Sequence, residues 1–182
     1  MEFWDIYDEN KKPTGRTMKR NDWCLKDGEY HLTVLGVVAR PDGTFLITKR
    51  VMTKAWAPGW WEVSGGAAQA GEESYEAVLR EVKEETGLTL TSYKFRGLVT
   101  FINSECESEL MCVFTADEYA GELIECDEGE LCWVDKTVVP ELPTWEGDRV
   151  FLDMLLSGEE RFFSLKLRYE GDKLVEKKTH LY

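Results

Sequence analysis

Hydrophobic and acidic positions alternate at the start of the chain, a pattern that is typical of β-strands. Residues 1–28 place aromatic and aliphatic side chains between acidic ones and turn through a polar run at 8–15, which predicts an N-terminal β-hairpin. The runs 31–40 and 44–50 are rich in β-branched residues and flank the turn Pro41-Asp42-Gly43. We therefore expect these two strands to pair with each other.

Further along the chain, β-type runs are separated by two segments with the period of amphipathic helices. The first helix is predicted at about 73–86, where Gly87 ends it, and the second at about 147–157, with Gly158 beyond it. The predicted strands lie at 61–64, where Gly65 and Gly66 end the strand, near 93–103, 109–116 and 131–135, and in a final hairpin of 162–169 and 173–181.

Strands outnumber helices in this pattern and do not alternate strictly with them. It therefore favours an α+β fold, an α/β/α sandwich with a mixed β-sheet and an N-terminal β-hairpin extension, over a doubly wound parallel sheet. Because the sequence contains no repeat and no linker, one domain over residues 1–182 is predicted.

The charge of the chain restricts its partners. The 182 residues carry 35 Asp and Glu against 22 Lys and Arg, a formal net charge of −13. A nucleic-acid partner is not expected, because neutralising a phosphate backbone requires a basic surface. A small phosphorylated substrate is compatible with this charge where divalent cations accompany it.

The cysteines indicate a reducing compartment and no zinc site. The chain has only two histidines, His31 and His180, and no CxxC pair among its five cysteines, which are Cys24, Cys106, Cys112, Cys126 and Cys132. We interpret them as reduced thiols in or near the core. The acidic start and the lack of a long apolar run predict neither a signal peptide nor a membrane span, and therefore a cytoplasmic protein without a membrane partner.

The first predicted helix carries an acidic cluster on one face. At about 100° per residue, Glu81, Glu84 and Glu85 fall on the same side. The opposite side is apolar and consists of Tyr75, Val78, Leu79 and Val82. Carboxylates three and four positions apart repel by a few tenths of a kcal/mol. Either the face is simply solvated and relieved by Arg80 and Lys83, or its hard oxygens bind Mg²⁺ or Mn²⁺.

The spacing of Gly66, Glu72 and the run Arg80-Glu81-Val82-Lys83-Glu84-Glu85-Thr86-Gly87-Leu88 resembles the Nudix box, here residues 66–88. The resemblance implies a Nudix fold and a pyrophosphohydrolase in which Glu81, Glu84 and Glu85 hold the metal ions and Glu72 assists. It also implies that Arg80 orients a carboxylate and that Glu81, Glu84 and Arg80 form the catalytic set. The expected reaction is attack of water on one phosphorus of a nucleoside diphosphate derivative, with the ions stabilising the developing charge.

Two pairs of residues near the box are further candidates for binding the substrate. Gly65 and Gly66 either let the backbone approach a ligand closely or turn sharply into the following loop. Lys49 and Arg50, at the end of their predicted strand, either contact phosphate or are exposed strand-end charges.

The region upstream of the box resembles the Nudix branch related to isopentenyl diphosphate isomerase. The similarity lies in residues 4–10, in Pro13-Thr14-Gly15-Arg16 and in Tyr30-His31-Leu32. That branch's isomerases carry a reactive cysteine next to a histidine before a degenerate box. Here the corresponding residues are Glu62-Val63-Ser64-Gly65 and the box is intact, so the comparison favours hydrolysis over isomerisation. We expect His31 to be a packed or capping residue rather than a metal ligand.

The region downstream of the box resembles the mutator-type diphosphatases of oxidised purine nucleoside triphosphates. The similar residues include 128–134, Pro143-Thr144-Trp145-Glu146-Gly147-Asp148 and Gly171-Asp172-Lys173-Leu174. The resemblance implies that Glu128 is an additional metal ligand or base, that Trp145 stacks on a purine and that Asp148 binds its edge. Alternatively, Trp145 covers the core and Asp148 caps the following helix.

Three hypotheses follow from these two resemblances. The first is magnesium- or manganese-dependent hydrolysis of a purine nucleoside triphosphate, such as 8-oxo-dGTP, to monophosphate and pyrophosphate. The second is hydrolysis of another diphosphate, such as a nucleotide sugar, ADP-ribose or an isoprenoid-like compound. The third is a module that binds nucleotides without cleaving them, which the intact Glu81, Glu84 and Glu85 disfavour. Family members often dimerise, so a homodimer is an open expectation.

Overall fold

The structure is a computed structural model, and it describes residues 1–53, 57–127 and 129–182. Within these ranges the chain forms eleven strands and two α-helices. The strands are β1 (Phe3–Tyr7), β2 (Pro13–Lys19), β3 (Tyr30–Val38), β4 (Thr44–Arg50), β5 (Trp61–Glu62), β6 (Ser64–Ala67), β7 (Thr89–Asn103), β8 (Glu109–Ala120), β9 (Gly129–Asp135), β10 (Phe163–Glu170) and β11 (Lys173–Leu181). The helices are α1 (Ser74–Thr86) and α2 (Glu146–Leu156), and a 3-10 helix spans Val139–Glu141.

A mixed sheet forms the centre of the molecule. Its strand order is β11-β10-β7-β8-β3-β1-β2, and β6 also pairs with β3. The pairs β3–β8 and β7–β10 are parallel, whereas β7–β8, β10–β11 and β1–β2 are antiparallel. The predicted N-terminal and C-terminal hairpins are therefore confirmed as β1–β2 and β10–β11, and both lie at the edges of this sheet.

The predicted pairing of the strands at 31–40 and 44–50 is wrong. The turn between them closes, since the N–H of Arg40 donates to the carbonyl of Thr44 over 2.8 Å, but only the Ala39–Phe45 bridge joins the two segments. β4 instead pairs with β5 and β9 in a separate three-stranded sheet. β4 is buried on both of its faces, since Leu46 packs into one hydrophobic core and Ile47 packs into the other. This burial explains why β4 lies between other strands and is not simply the second strand of a hairpin with β3.

The two helices cover opposite faces of the mixed sheet. Ala77, Val78 and Val82 of α1 pack on a core that includes Val34 and Phe114. On the other face, α2 packs on a second core, and its buried side chains there are Phe151, Leu152 and Leu155. This arrangement confirms the predicted α/β/α sandwich. No helix in the described part of the chain is long and apolar enough to span a bilayer.

The start and end of α1 agree with the prediction from the sequence. Glu73 is the N-cap and forms a capping box with Glu76, and Gly87 ends the helix in the left-handed conformation, with a φ of 83°. Tyr75, predicted on the apolar face, is exposed instead. The helix is therefore buried mainly through Ala77, Val78 and Val82.

Gly65 and Gly66 do not end a strand. They continue as β6, which pairs antiparallel with β3 so that Gly65 faces Leu35 and Gly66 faces Val34. A Cβ atom on Gly65 would lie 2.1 Å from the carbonyl oxygen of Val34, so the absence of a side chain allows this close approach.

Candidate active site

The C-terminal half of α1 lies against β6 and brings its carboxylates to the glycine pair. A Cβ atom on Gly66 would lie 2.6 Å from Oε1 of Glu81, so this carboxylate packs directly on bare backbone. The N–H of Gly65 donates to Oε2 of Glu85 over 3.2 Å. The carboxylates of Glu81 and Glu85 are thus held at neighbouring residues of one strand.

Arg80 lies at the centre of the carboxylates. Its Nη1 is 2.7 Å from Oε1 of Glu81 and 3.4 Å from Oε2 of Glu84. Its Nη2 also donates to the carbonyl of Ala67 in β6 over 3.1 Å. The guanidinium therefore links Glu81 and Glu84 of α1 to β6.

Glu72 binds Arg80 through both carboxylate oxygens. Arg80 Nε donates to Oε1 and Nη2 donates to Oε2, each over 2.8 Å. Oε2 also accepts the N–H of Gln69. Burial acts to raise the pKa of Glu72, but the hydrogen bonds from Arg80 and Gln69 outweigh it and the pKa is lowered. This geometry favours a role for Glu72 in orienting Arg80 over one as a direct metal ligand.

The donor set of the acidic face fits a hard divalent cation. Glu81, Glu84 and Glu85 offer oxygen atoms alone. Burial raises the pKa of the Glu81 carboxyl, although Arg80 acts to lower it. No group of three or more Asp, Glu, His or Cys among the described residues is already arranged as a metal site. Glu84 is 64% exposed, so its side chain is free to turn toward an ion.

Lys49 and Arg50 take different positions at the end of β4. Arg50 Nη1 lies 2.7 Å from Oε1 of Glu62, and the guanidinium is 13% exposed. Lys49 is exposed, with its Nζ 5.8 Å from the ring centre of Trp61. Arg50 is therefore bound to the protein itself, whereas Lys49 is accessible to a phosphate.

Trp145 and Asp148 lie at the start of α2, on the face of the sheet opposite α1. The Trp145 ring is 4.7 Å from that of Trp60 and meets Tyr169 edge-on at 6.3 Å. Tyr169 Oη accepts the N–H of Gly147 over 2.7 Å, and a Cβ atom on Gly147 would lie 2.7 Å from the same oxygen. The first turn of α2 is thereby fixed on β10.

Asp148 lies in an acidic and partly buried setting. Burial, followed by the charges of Glu62 and Glu109, raises the pKa of its carboxyl to about 7. Trp145, not Asp148, is the N-cap of α2, and no side-chain capping bond is present there. The structure thus gives no support to the alternative that Asp148 caps the helix.

Analysis of the sequence missed a group of polar residues near Asp148. Thr33 Oγ1 donates to Oε2 of Glu109 over 3.0 Å, and His31 Nε2 lies 3.9 Å from Oε1 of the same residue. Burial raises the pKa of Glu109 to about 7 and lowers the pKa of His31 to about 4. The expectation that His31 is a packed residue agrees with its 4% exposure. The parallel pairing of β3 with β8, which joins these residues, left no local signal in the sequence.

Glu128, predicted as a metal ligand or base, lies outside the described residues. All five cysteines are free thiols, but the expected position in or near the core is wrong for two of them. Cys112 is buried, whereas Cys24 and Cys106 are exposed.

Comparison with known proteins identifies the family. A model of the NUDIX domain matches residues 29–155, well over half of the chain. The chain belongs to the Nudix family. The matched residues include β6, α1 and all but the last residue of α2, and they begin after the β1–β2 hairpin.

Individual relatives agree with this assignment. The oxidized purine nucleoside triphosphate hydrolase of Danio rerio is 33% identical over 150 residues, 81% of this chain and 92% of that protein. The uncharacterized Nudix hydrolase YvcI of Bacillus subtilis is 37% identical over 106 residues, 56% of this chain and 67% of that protein. The chain spans about half, 53%, of the length of other curated relatives that it matches.

A solved structure shows the same fold. The crystal structure of the mutator MutT protein from Bacillus halodurans superposes with a TM-score of 0.73 at 28% sequence identity, covering 81% of this chain and 96% of that one. The predicted Nudix fold and the predicted enzyme class, a Nudix pyrophosphohydrolase, are confirmed at the level of the family.

Proposed function

We propose that the protein hydrolyses a diphosphate linkage in a purine nucleoside triphosphate, such as 8-oxo-dGTP, and releases the monophosphate and pyrophosphate. The observation that carries the proposal is the position of Trp145 and Asp148 at the start of α2, where an aromatic ring at the N-cap and a carboxyl in the first helical turn are three residues apart. A ring of this kind stacks on a base, and a carboxyl binds the donors of a guanine-like edge.

The base site and the carboxylates of α1 are separated by a short piece of extended chain. Trp60, which contacts Trp145, precedes β5, and Gly65 and Gly66, which contact the glutamates, follow in β6. Five to six residues of chain span at most roughly 15–20 Å when fully extended, which sets an upper bound on this separation. A nucleotide with its phosphate chain is of comparable length, which supports a single substrate that occupies both regions. The similarity to the Danio rerio hydrolase supports the same substrate class.

We assign Mg²⁺ or Mn²⁺ to Glu81, Glu84 and Glu85, with Arg80 and Glu72 positioning these carboxylates. When bound, such ions stabilise charge on the phosphate oxygens and lower the pKa of the attacking water. Arg80 holds Glu81 in place, Gly65 and Gly66 hold Glu85 and Glu81 at β6, and Lys49 contacts the phosphate chain. Glu128 is proposed as a further ligand or base on the resemblance to the mutator-type diphosphatases alone.

A panel of substrates tests the proposed function. The full chain is incubated with excess Mg²⁺ and with 8-oxo-dGTP, dGTP, dUTP, ADP-ribose, a nucleotide sugar and isopentenyl diphosphate, and the products are identified by chromatography. We expect purine triphosphates to be preferred and pyrophosphate to appear with the monophosphate. Equal turnover of dUTP, ADP-ribose and 8-oxo-dGTP would contradict the proposal, and binding without release of phosphate or pyrophosphate would indicate a sensor.

A variant of Trp145 tests the base site separately. Trp145→Ala removes the stacking surface, and loss of one stacked base corresponds to about 1–3 kcal/mol. We expect the KM for a purine triphosphate to rise about tenfold or more and the KM for isopentenyl diphosphate to change little. The matched control is Trp23→Ala, because Trp23 is exposed in the segment between β2 and β3.

We also propose a cytoplasmic location, which five free thiols support, and a single domain over residues 1–182 with 1–28 as an extension of it. The homodimer stays a prediction.

A further inference from the structure

We propose that Glu109 is a specificity-determining residue that binds the purine base together with Asp148, and that the N-terminal hairpin holds Glu109 in position. The proposal rests on the purine nucleotide hydrolase function proposed above. Glu109 lies outside the residues 66–88 that define the family's box, and it has no place in the reaction as assigned so far.

The alternation of β8 directs Glu109 to the side of the sheet on which α2 lies. Cys112 and Phe114 pack into the core beneath α1, whereas Met111 and Val113 pack into the core beneath α2. Glu109, two positions before Met111, shares its face. On the neighbouring strand β3, Leu35 also packs into the core beneath α2, and Thr33, two positions earlier, lies on the same face.

Two aromatic residues lie between the β8 position of Glu109 and the base site. Phe101 is the register partner of Glu109 across β7–β8. The Phe101 ring lies 5.5 Å from that of Tyr169, which in turn meets Trp145 at 6.3 Å. Phe101 and Tyr169 therefore lie between the position of Glu109 on β8 and Trp145, the proposed stacking residue.

Three residues of the N-terminal part of the chain hold Glu109. Thr33 donates a hydrogen bond to its Oε2, and the His31 ring borders Oε1. Trp4 of the hairpin stacks on His31 at 4.4 Å with an interplanar angle of 13°, and both side chains are buried, with 8% and 4% exposure. The Glu109 side chain itself keeps 27% exposure, so it remains accessible to a ligand.

Charged and titratable groups from every neighbouring element surround the two carboxyls. Glu109 is faced by His31 from β3, Asp148 from α2 and Glu107 and Cys106 from the β7–β8 turn. Asp148 is faced by Glu62 from β5, Glu109 from β8 and Tyr169 from β10. Burial lowers the pKa of His31 to about 4, so its ring is neutral at pH 7 and does not compensate these charges. Arg50 brings a positive charge to this region, where it pairs with Glu62.

A pair of carboxyls that both titrate near pH 7 offers a donor and acceptors together. Burial raises the pKa of each carboxyl to about 7, so at neutral pH each is protonated for part of the time. An oxidised guanine presents N–H donors beside carbonyl acceptors, which is the pattern that such a pair complements. Sites that hydrogen-bond a substrate in this manner discriminate strongly against analogues that lack the matching group.

The test compares Glu109→Gln with Glu118→Gln, an exposed glutamate at the far end of the same strand. Steady-state kinetics with Mg²⁺ are measured for 8-oxo-dGTP, dGTP, dATP and a sugar triphosphate that carries no base. We expect Glu109→Gln to raise the KM for the guanine substrates about tenfold or more, to change kcat/KM for the base-free triphosphate by a much smaller factor, and to alter the pH profile of kcat/KM near pH 7. Glu118→Gln should match the wild type on every substrate.

Two further positions test how Glu109 is held. Thr33→Val removes the hydrogen bond at nearly constant volume and should shift the KM in the same direction by a smaller factor. Trp4→Ala should do so as well, and Trp4→Phe, which keeps a ring on His31, should restore the wild-type value. If Trp4→Ala folds and leaves the KM unchanged, the part assigned to the hairpin is overturned.

The outcomes separate this inference from the proposed function. If the wild type cleaves the base-free triphosphate with the same kcat/KM as purine nucleotides, the proposed function fails and the inference fails with it. If the wild type prefers purines but Glu109→Gln behaves as Glu118→Gln does, only the inference fails. An equal loss on all substrates would assign Glu109 a structural role and overturn the inference too.

Discussion

Glu84 and Glu85 test the metal-binding assignment with little risk to the fold. Glu84 is 64% exposed and Glu85 is half-buried at the end of α1, so replacement by Gln removes charge without removing volume. We expect Glu84→Gln and Glu85→Gln to lower turnover by orders of magnitude and to leave the unfolding temperature unchanged or slightly higher, because repulsion on the helix is relieved. Turnover in excess Mg²⁺ and thermal unfolding measure the two effects. Wild-type activity in both variants would refute the assignment.

Asp148 illustrates a conflict between stability and function. Its carboxyl has an ordinary pKa of 3.8 and a pKa of about 7 in the folded protein. Between these values the folded state binds more protons than the unfolded one, so the contribution of Asp148 to stability falls as the pH rises from about 4 to about 7 and is constant above. Asp148→Asn should therefore unfold at the same temperature as the wild type at pH 4 and several degrees higher at pH 8. Thermal scans across this range test the prediction, and a constant difference would contradict it.

The residues of the candidate site differ in how far they could be predicted from the sequence. Glu72, Arg80 and Glu81 could be located because they lie within one helix and the loop before it, at spacings that a periodic structure fixes. Thr33 and Glu109 are 76 positions apart and meet only through the parallel pairing of β3 with β8. Neither stands in a motif, so their proximity required the fold.

At the level of the elements, Gly65 and Gly66 are predicted to have different functions although they are neighbours in β6. A Cβ atom on Gly65 would lie 2.1 Å from a backbone oxygen of β3, whereas one on Gly66 would meet the carboxylate end of the flexible Glu81 side chain. We expect Gly65→Ala to destabilise the fold and Gly66→Ala to keep the fold but lower turnover at least about tenfold, because Glu81 must move. Urea unfolding and turnover of each variant measure the contrast. Equal losses of stability would contradict it.

The bounds of an element were predicted accurately where local sequence patterns determine them. The pairing of strands was not predicted correctly where it depends on tertiary contacts. The capping box at Glu73 and the left-handed Gly87 specify α1 locally, and its predicted bounds agree with the structure to within about one residue. The run at 44–50 was also located correctly, but its partner was not. Its side chains are buried on both faces, and this pattern does not tell which strand lies beside it.

For the whole molecule, the net charge of −13 and the carboxylates of α1 lead us to expect that stability depends on divalent cations. An ion that binds the folded state stabilises it according to its concentration relative to Kd, by about 2.7 kcal/mol at one hundred times Kd. General screening of an acidic protein by salt contributes as well, but it does not require specific side chains. The two effects are therefore separable by ionic strength and by substitution.

We expect Mg²⁺ to raise the unfolding temperature of the wild type by several degrees more than NaCl at equal ionic strength does. The excess should disappear in the double variant Glu81→Gln/Glu84→Gln, which lacks two of the proposed ligands. It should persist in the control Glu118→Gln, whose exposed carboxylate lies near the end of β8. Chelation of the metal should reverse the shift. If the double variant kept the full excess in unfolding temperature, the ions would bind elsewhere on the acidic surface. The carboxylates of α1 would then be a solvated acidic face without a metal ion.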